Sequence, residues 1–130
     1  MRHSPRILAL LLAAPLFTGC AAAVLGIGAG VIVSQDVLDN SVYVATLDRD
    51  AEAVWTSAKL ALNRASLKPI DVQDDVRQAV AEIDDAKVTV NVETYDLNRS
   101  TLRVSAKKYG VNNGEIAKMV YDKILHEIEK

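Results

Sequence analysis

Among the side chains that could do chemistry, the thiol comes first. The 130-residue chain has one cysteine, Cys20, inside the run PLFTGCAAA. A single thiol forms neither an internal disulfide nor a multi-thiolate metal site. As a nucleophile it needs a base beside it, and the two histidines offer little. His3 precedes an apolar run, and His126 stands four residues after Asp122. On a helix such a spacing is an ordinary surface contact far more often than a catalytic dyad. Paired carboxylates occur at Asp74-Asp75 and Asp84-Asp85. Aspartate suits the backbone hydrogen bonding of turns, and neither pair follows the spacing of an oxygen-ligand cation loop. Gly26, Gly28 and Gly30 precede no strand-to-helix turn and are no phosphate loop. These residues lead to the expectation of no enzyme, no metal site and no cofactor.

The residues around Cys20 suggest a different use for it. Arg2, His3 and Arg6 form a positive start, Ile7 to Leu12 with Ala13 and Ala14 an apolar centre, and Thr18-Gly19 a small-residue exit. That three-part pattern is a secretory signal peptide over residues 1–19, with Pro15 ending its helix. Leu16-Phe17-Thr18-Gly19-Cys20 resembles a bacterial lipobox, with Phe17 where leucine is commoner. The resemblance implies a diacylglyceryl thioether on Cys20, cleavage of the Gly19–Cys20 bond and an acylated amino terminus. The lipid would be covalent, in place of any cofactor. Each buried methylene contributes about 0.8 kcal/mol, and stable anchoring takes more than one chain. By analogy with lipoproteins of two-membrane bacteria, Ala21 in place of aspartate favours the periplasmic face of the outer membrane.

Residues 20–40 then form the lipidated cysteine and an apolar Ala/Gly-rich tether. Two other readings stay open. The apolar stretch from Ile7 to Val33 exceeds the ~20 residues that span a bilayer. An uncleaved, membrane-inserted chain could self-associate through Ala22, Gly26 and Gly30, with Ser34 continuing the spacing of small residues by four. An ordinary cleaved signal with a coincidental cysteine is the third.

Charge narrows the partners. The net charge is −2, and no acidic residue precedes Asp36. Loss of Arg2 and Arg6 leaves thirteen basic residues against seventeen acidic ones, so the electropositive footprint of a nucleic-acid binder is missing. The expected partners are a membrane, through the lipid, and an envelope protein. Neither nucleic acid nor a small-molecule substrate is expected.

Residues 41–130 leave room for one domain with a modest core. SVYVATL is rich in strand formers. Asp48 or Asp50 caps a helix from Ala51 to about Ser66, whose apolar stripe is Val54, Trp55, Ala58, Ala61, Leu62 and Ala65. On that face Trp55 is a core anchor, and Pro69 prevents continuation. LKPIDVQDD is a short extended piece, and VRQAVAEI a strand with blurred alternation. KVTVNVETY alternates cleanly, with Val88, Val90 and Val92 on one side, and TLRVSAKK repeats it with Leu102, Val104 and Ala106. Asn112 and Glu115 form a capping box for a last helix. Its apolar face is Ile116, Val120, Tyr121, Ile124 and Ile128, with Lys118, Asp122, His126 and Glu129 opposite.

The order β-α-β-β-β-β-α predicts an α+β two-layer sandwich. It has an antiparallel four- to five-stranded sheet with both helices on one face. The other face stays wet. Thr89, Asn91, Arg103 and Ser105 on it are the candidate partner surface, with the free edge near Ser41 to Val44 as a second candidate through β-augmentation.

The lipobox, the Ala/Gly-rich segment, YVATLDRDAEAVWTSAKLAL and YGVNNGEIAKMVYDKI together resemble a family of small bacterial lipoproteins. It is catalogued as a domain of unknown function, family thirty-five sixty-eight. The resemblance implies a membrane-anchored domain and supplies no catalytic signature.

Overall fold

The computed structural model describes residues 31–130. Cys20, the signal segment 1–19 and the small residues Ala22, Gly26 and Gly30 therefore lie outside the described residues. Strands β1 (Ile32–Leu38) and β2 (Val42–Leu47) lead into helix α1 (Ala51–Ala65). Then come β3 (Asp71–Gln73), β4 (Gln78–Ile83), β5 (Ala86–Thr94), β6 (Ser100–Lys108), β7 (Val111–Asn112) and α2 (Gly114–Ile128). All the strands join one antiparallel sheet in the order β1-β2-β6-β5-β4-β3, with β7 paired to the end of β6. The α+β class and the antiparallel sheet agree with the sequence, but the sheet has seven strands among the described residues rather than four or five.

Local chemistry accounts for the connections. β4 and β5 are joined by Asp84-Asp85, and β6 and β7 by Tyr109-Gly110, each a two-residue turn with both residues at positive φ. Paired positive φ values match the right-handed twist of the strands. Aspartate tolerates that region, whereas Tyr109 (φ 52°) carries a steric cost of about 1–2 kcal/mol. Asp50 caps α1 by accepting from the Ala53 N–H at 2.9 Å, which decides between the two aspartates. The cap of α2 is Asn113, accepting from the Ile116 N–H at 3.0 Å, not Asn112. Asn112 is taken up in β7, where it pairs with Lys107, so the cap moves one residue on.

Both helices contact the same face of the sheet. Ala45 and Leu47 of β2, Ala79, Ala81 and Ile83 of β4, Val88, Val90 and Val92 of β5, and Leu102, Val104 and Ala106 of β6 are buried there. Val54, Trp55, Ala58 and Leu62 of α1 and Ala117, Val120, Tyr121 and Ile124 of α2 close the core. Two contacts outside the apolar core also tie elements together. The indole N–H of Trp55, a residue 2% exposed, donates to Asp74 Oδ1 at 2.8 Å, tying α1 to the β3–β4 loop. Gly114 packs against the Asn40 carbonyl, where any Cβ would overlap it, so the β1–β2 turn sits directly on the start of α2.

The segment expected to finish the tether contributes a strand instead. Val37 and Leu38 pair with Tyr43 and Val42, and Ser34 pairs with Thr46 across a bulge near Val33. Ser34 is thus a strand residue and continues no helical spacing. This also corrects the expected free edge. Ser41 lies in the β1–β2 connection and Val42 to Val44 lie in β2, which has β1 on one side and β6 on the other. The edges are β1 and β3.

Candidate interaction surface

The uncovered face of the sheet is built from four cross-strand rows, the one at the β4–β5 turn end being Glu82, Lys87, Lys107 and Asn112. Leu38, Val42, Ser105, Thr89, Val80 and Asp71 lie side by side from β1 to β3. Beside them run Asp36, Val44, Arg103, Asn91, Gln78 and Gln73. A shorter row has Ser34, Thr46, Thr101 and Glu93. The four residues singled out from the sequence thus form one block at the centre, with Thr89 opposite Ser105 and Asn91 opposite Arg103. Period-two alternation places them there, because their neighbours Val88, Val90, Val92, Leu102 and Val104 are buried beneath the helices.

The same geometry adds residues the sequence did not single out. Val42, Val44 and Val80 are half-buried on this face, flanking the polar block, together with Thr46. Val42 and Val44 escape notice because β2 reads apolar on both sides: Tyr43, Ala45 and Leu47 turn toward the helices. The result is a field of short hydroxyl and branched side chains in which Arg103 is exposed.

One end of the face is concave. A groove of about 500 Å³ is lined by Pro69, Asp71, Val80, Glu82, Lys87, Lys107 and Tyr109 among others. Lys87 and Lys107 are directly opposite one another across β5 and β6, an arrangement that repels. On the other flank of Lys87 is Glu82, whose carboxylate is held by Lys68 at 3.0 Å. Neither lysine of the facing pair joins a salt bridge among the described residues. Asp85 also lines the groove, so with Asp71 and Glu82 it holds carboxylates as well as the two lysines, and Tyr109 is exposed at the rim.

The other residues considered for chemistry are dispersed. His126 is exposed and lines a hollow between the helices with Arg64, Lys123, Glu127 and Lys130. Asp122 pairs with Lys118 at 2.7 Å, an interaction that raises the lysine's pKa. Asp74 accepts from both Lys59 and Trp55, and these hydrogen bonds, chiefly the lysine's, hold its carboxyl below the ordinary value of 3.8. Asp96 is lowered likewise, mainly by its hydrogen bond from Arg99. Tyr121 is raised by burial, and its hydroxyl has no hydrogen-bond partner. Among the described residues, no group of three or more His, Cys, Asp or Glu side chains is placed to hold a metal. Nor is any helix among them long and apolar enough to cross a membrane.

The described residues thus offer two outer strands, β1 and β3, and a sheet face of mixed polar and branched apolar side chains. No family model matches the chain, and no curated protein matches it.

Proposed function

We propose that the protein is a lipid-anchored module of the bacterial envelope. Acylated Cys20 holds the α+β domain at a membrane, and the open sheet face acts as its contact surface for an envelope protein. The observation that carries the anchor is the sole cysteine at the end of LFTGC, behind a positive start and an apolar centre. The contact surface is supported by the block Thr89, Asn91, Arg103 and Ser105, flanked by half-buried Val42, Val44 and Val80, with no helix of the described residues over it. The face combines polar and branched apolar side chains, with exposed Arg103 at its centre as the residue type enriched at interfaces. Placement at the outer membrane, and membership in the lipoprotein family that the sequence resembles, belong to the same proposal.

A photo-reactive residue at position 91, in intact cells, tests the contact surface against the same residue at exposed position 63 on α1. A discrete adduct from position 91 alone is expected. Adducts of equal yield from both positions, or none from position 91, would contradict the assignment of this face.

A further inference from the structure

We infer that the end of the sheet where the chain enters the domain rests on the bilayer, with the Tyr95–Arg99 loop as its lipid contact. This rests on the lipid-anchor reading of Cys20. The entry point is fixed by the Val31 carbonyl, which accepts from the Asp48 N–H at 2.7 Å. Asp48 in turn lines a hollow of about 410 Å³ with Asp96, Leu97, Asn98 and Arg99. The chain therefore arrives beside this loop.

The loop offers lipid an apolar tip. Leu97 is 92% exposed and Tyr95 59%. Its shape is held from within: the Tyr95 and Asp96 N–H groups donate to the Arg99 carbonyl at 3.0 and 3.1 Å. The Asn98 N–H donates to Asp96 Oδ1 at 2.9 Å. Arg99 is ion-paired with Asp96 and lies 4.9 Å from the Tyr95 ring centre. Leucine thus projects from a braced turn, flanked by a tyrosine and an arginine whose charge is matched. Aromatic and arginine side chains of this kind favour the headgroup level. Asp48 lines the hollow and its charge acts on Arg99 together with that of Asp96, so the loop carries no excess positive charge and suits a zwitterionic lipid such as phosphatidylethanolamine better than an anionic one.

Exposed apolar tips alone do not choose an end, since Leu67 and Tyr109 are exposed at the opposite one. The attachment chooses it. Ten residues, Ala21 to Gly30, separate Cys20 from Val31, at most about 40 Å of extended chain. They are all apolar or small, a composition whose exposure to water is unfavourable. Nine-residue β5 makes the two ends about 30 Å apart, so with the entry end at the lipid the opposite end stands clear of it.

The test uses the full, lipidated protein in phosphatidylethanolamine vesicles containing a nitroxide-labelled lipid. With Cys20 acylated, Leu97→Cys or Leu67→Cys supplies the one free thiol for a fluorophore, and intact mass reports the acyl groups. We expect quenching at position 97 to be about twofold or more that at position 67, as for groups settling ~5–10 Å into the headgroup boundary. Equal quenching in a protein of acylated mass overturns the docking alone. A mass lacking acyl groups overturns the anchor, and the docking with it.

Discussion

Tyr121 shows how a single residue can be placed correctly and still be unsatisfied. Its ring belongs to the core and lies 5.5 Å from that of Tyr43, but its hydroxyl is buried without a partner. A buried unpaired polar group costs about 1–3 kcal/mol, and removing it relieves that cost. Tyr121→Phe is therefore expected to raise the midpoint of urea unfolding, and a lowered midpoint would contradict the geometry. Asp74 is the opposite case. Its carboxyl is held below its ordinary value by Lys59 and Trp55. A folded-state value below the unfolded one stabilises the protein above the unfolded value and loses that contribution as pH falls through the folded one. Stability measured from neutral pH down into the acid range should thus fall less steeply in Asp74→Asn than in the parent. The difference should shrink in salt, because the pair is largely exposed. The stripe position of Trp55 was legible in the sequence. Its link to Asp74, nineteen residues away, was not, because it depends on how the β3–β4 loop folds over α1.

At the scale of elements, period was readable where inside and outside differ sharply. β5 and β6 alternate valine or leucine with polar residues, and the open-face block follows from them directly. β4 places small Ala79 and Ala81 on its buried side, which weakens the contrast, and β2 is apolar on both sides. β1 carries almost no burial signal, since six of its seven residues are exposed. Its strand character comes from pairing with β2, so it merged with the apolar tether. β7 is two residues long and is defined by the Tyr109-Gly110 turn. Gly114 joins elements rather than belonging to one: its missing side chain lets Asn40 of the β1–β2 turn rest on α2. Gly114→Ala must push backbone apart there, and overpacking of this kind costs about 1–3 kcal/mol. Chemical unfolding checks it; unchanged stability would mean that the turn and helix are not in this contact.

For the whole molecule, the sheet separates two tasks. One face packs against the helices around the core, and the other is the face proposed for contact. The strand direction sets which loops lie near the chain's entry at Val31 and which lie far from it. The proposed role requires that the domain be held at a membrane, and acylated Cys20 is the proposed anchor. The most direct measurement is fractionation with intact mass of the parent and of Cys20→Ser, expressed in a two-membrane bacterium. The parent is expected in the membrane fraction with a mass starting at Cys20 plus acyl groups, and the variant without acyl groups and without the mature membrane-bound form. A Cys20→Ser protein processed and retained in the membrane as the parent is would contradict the proposed anchor.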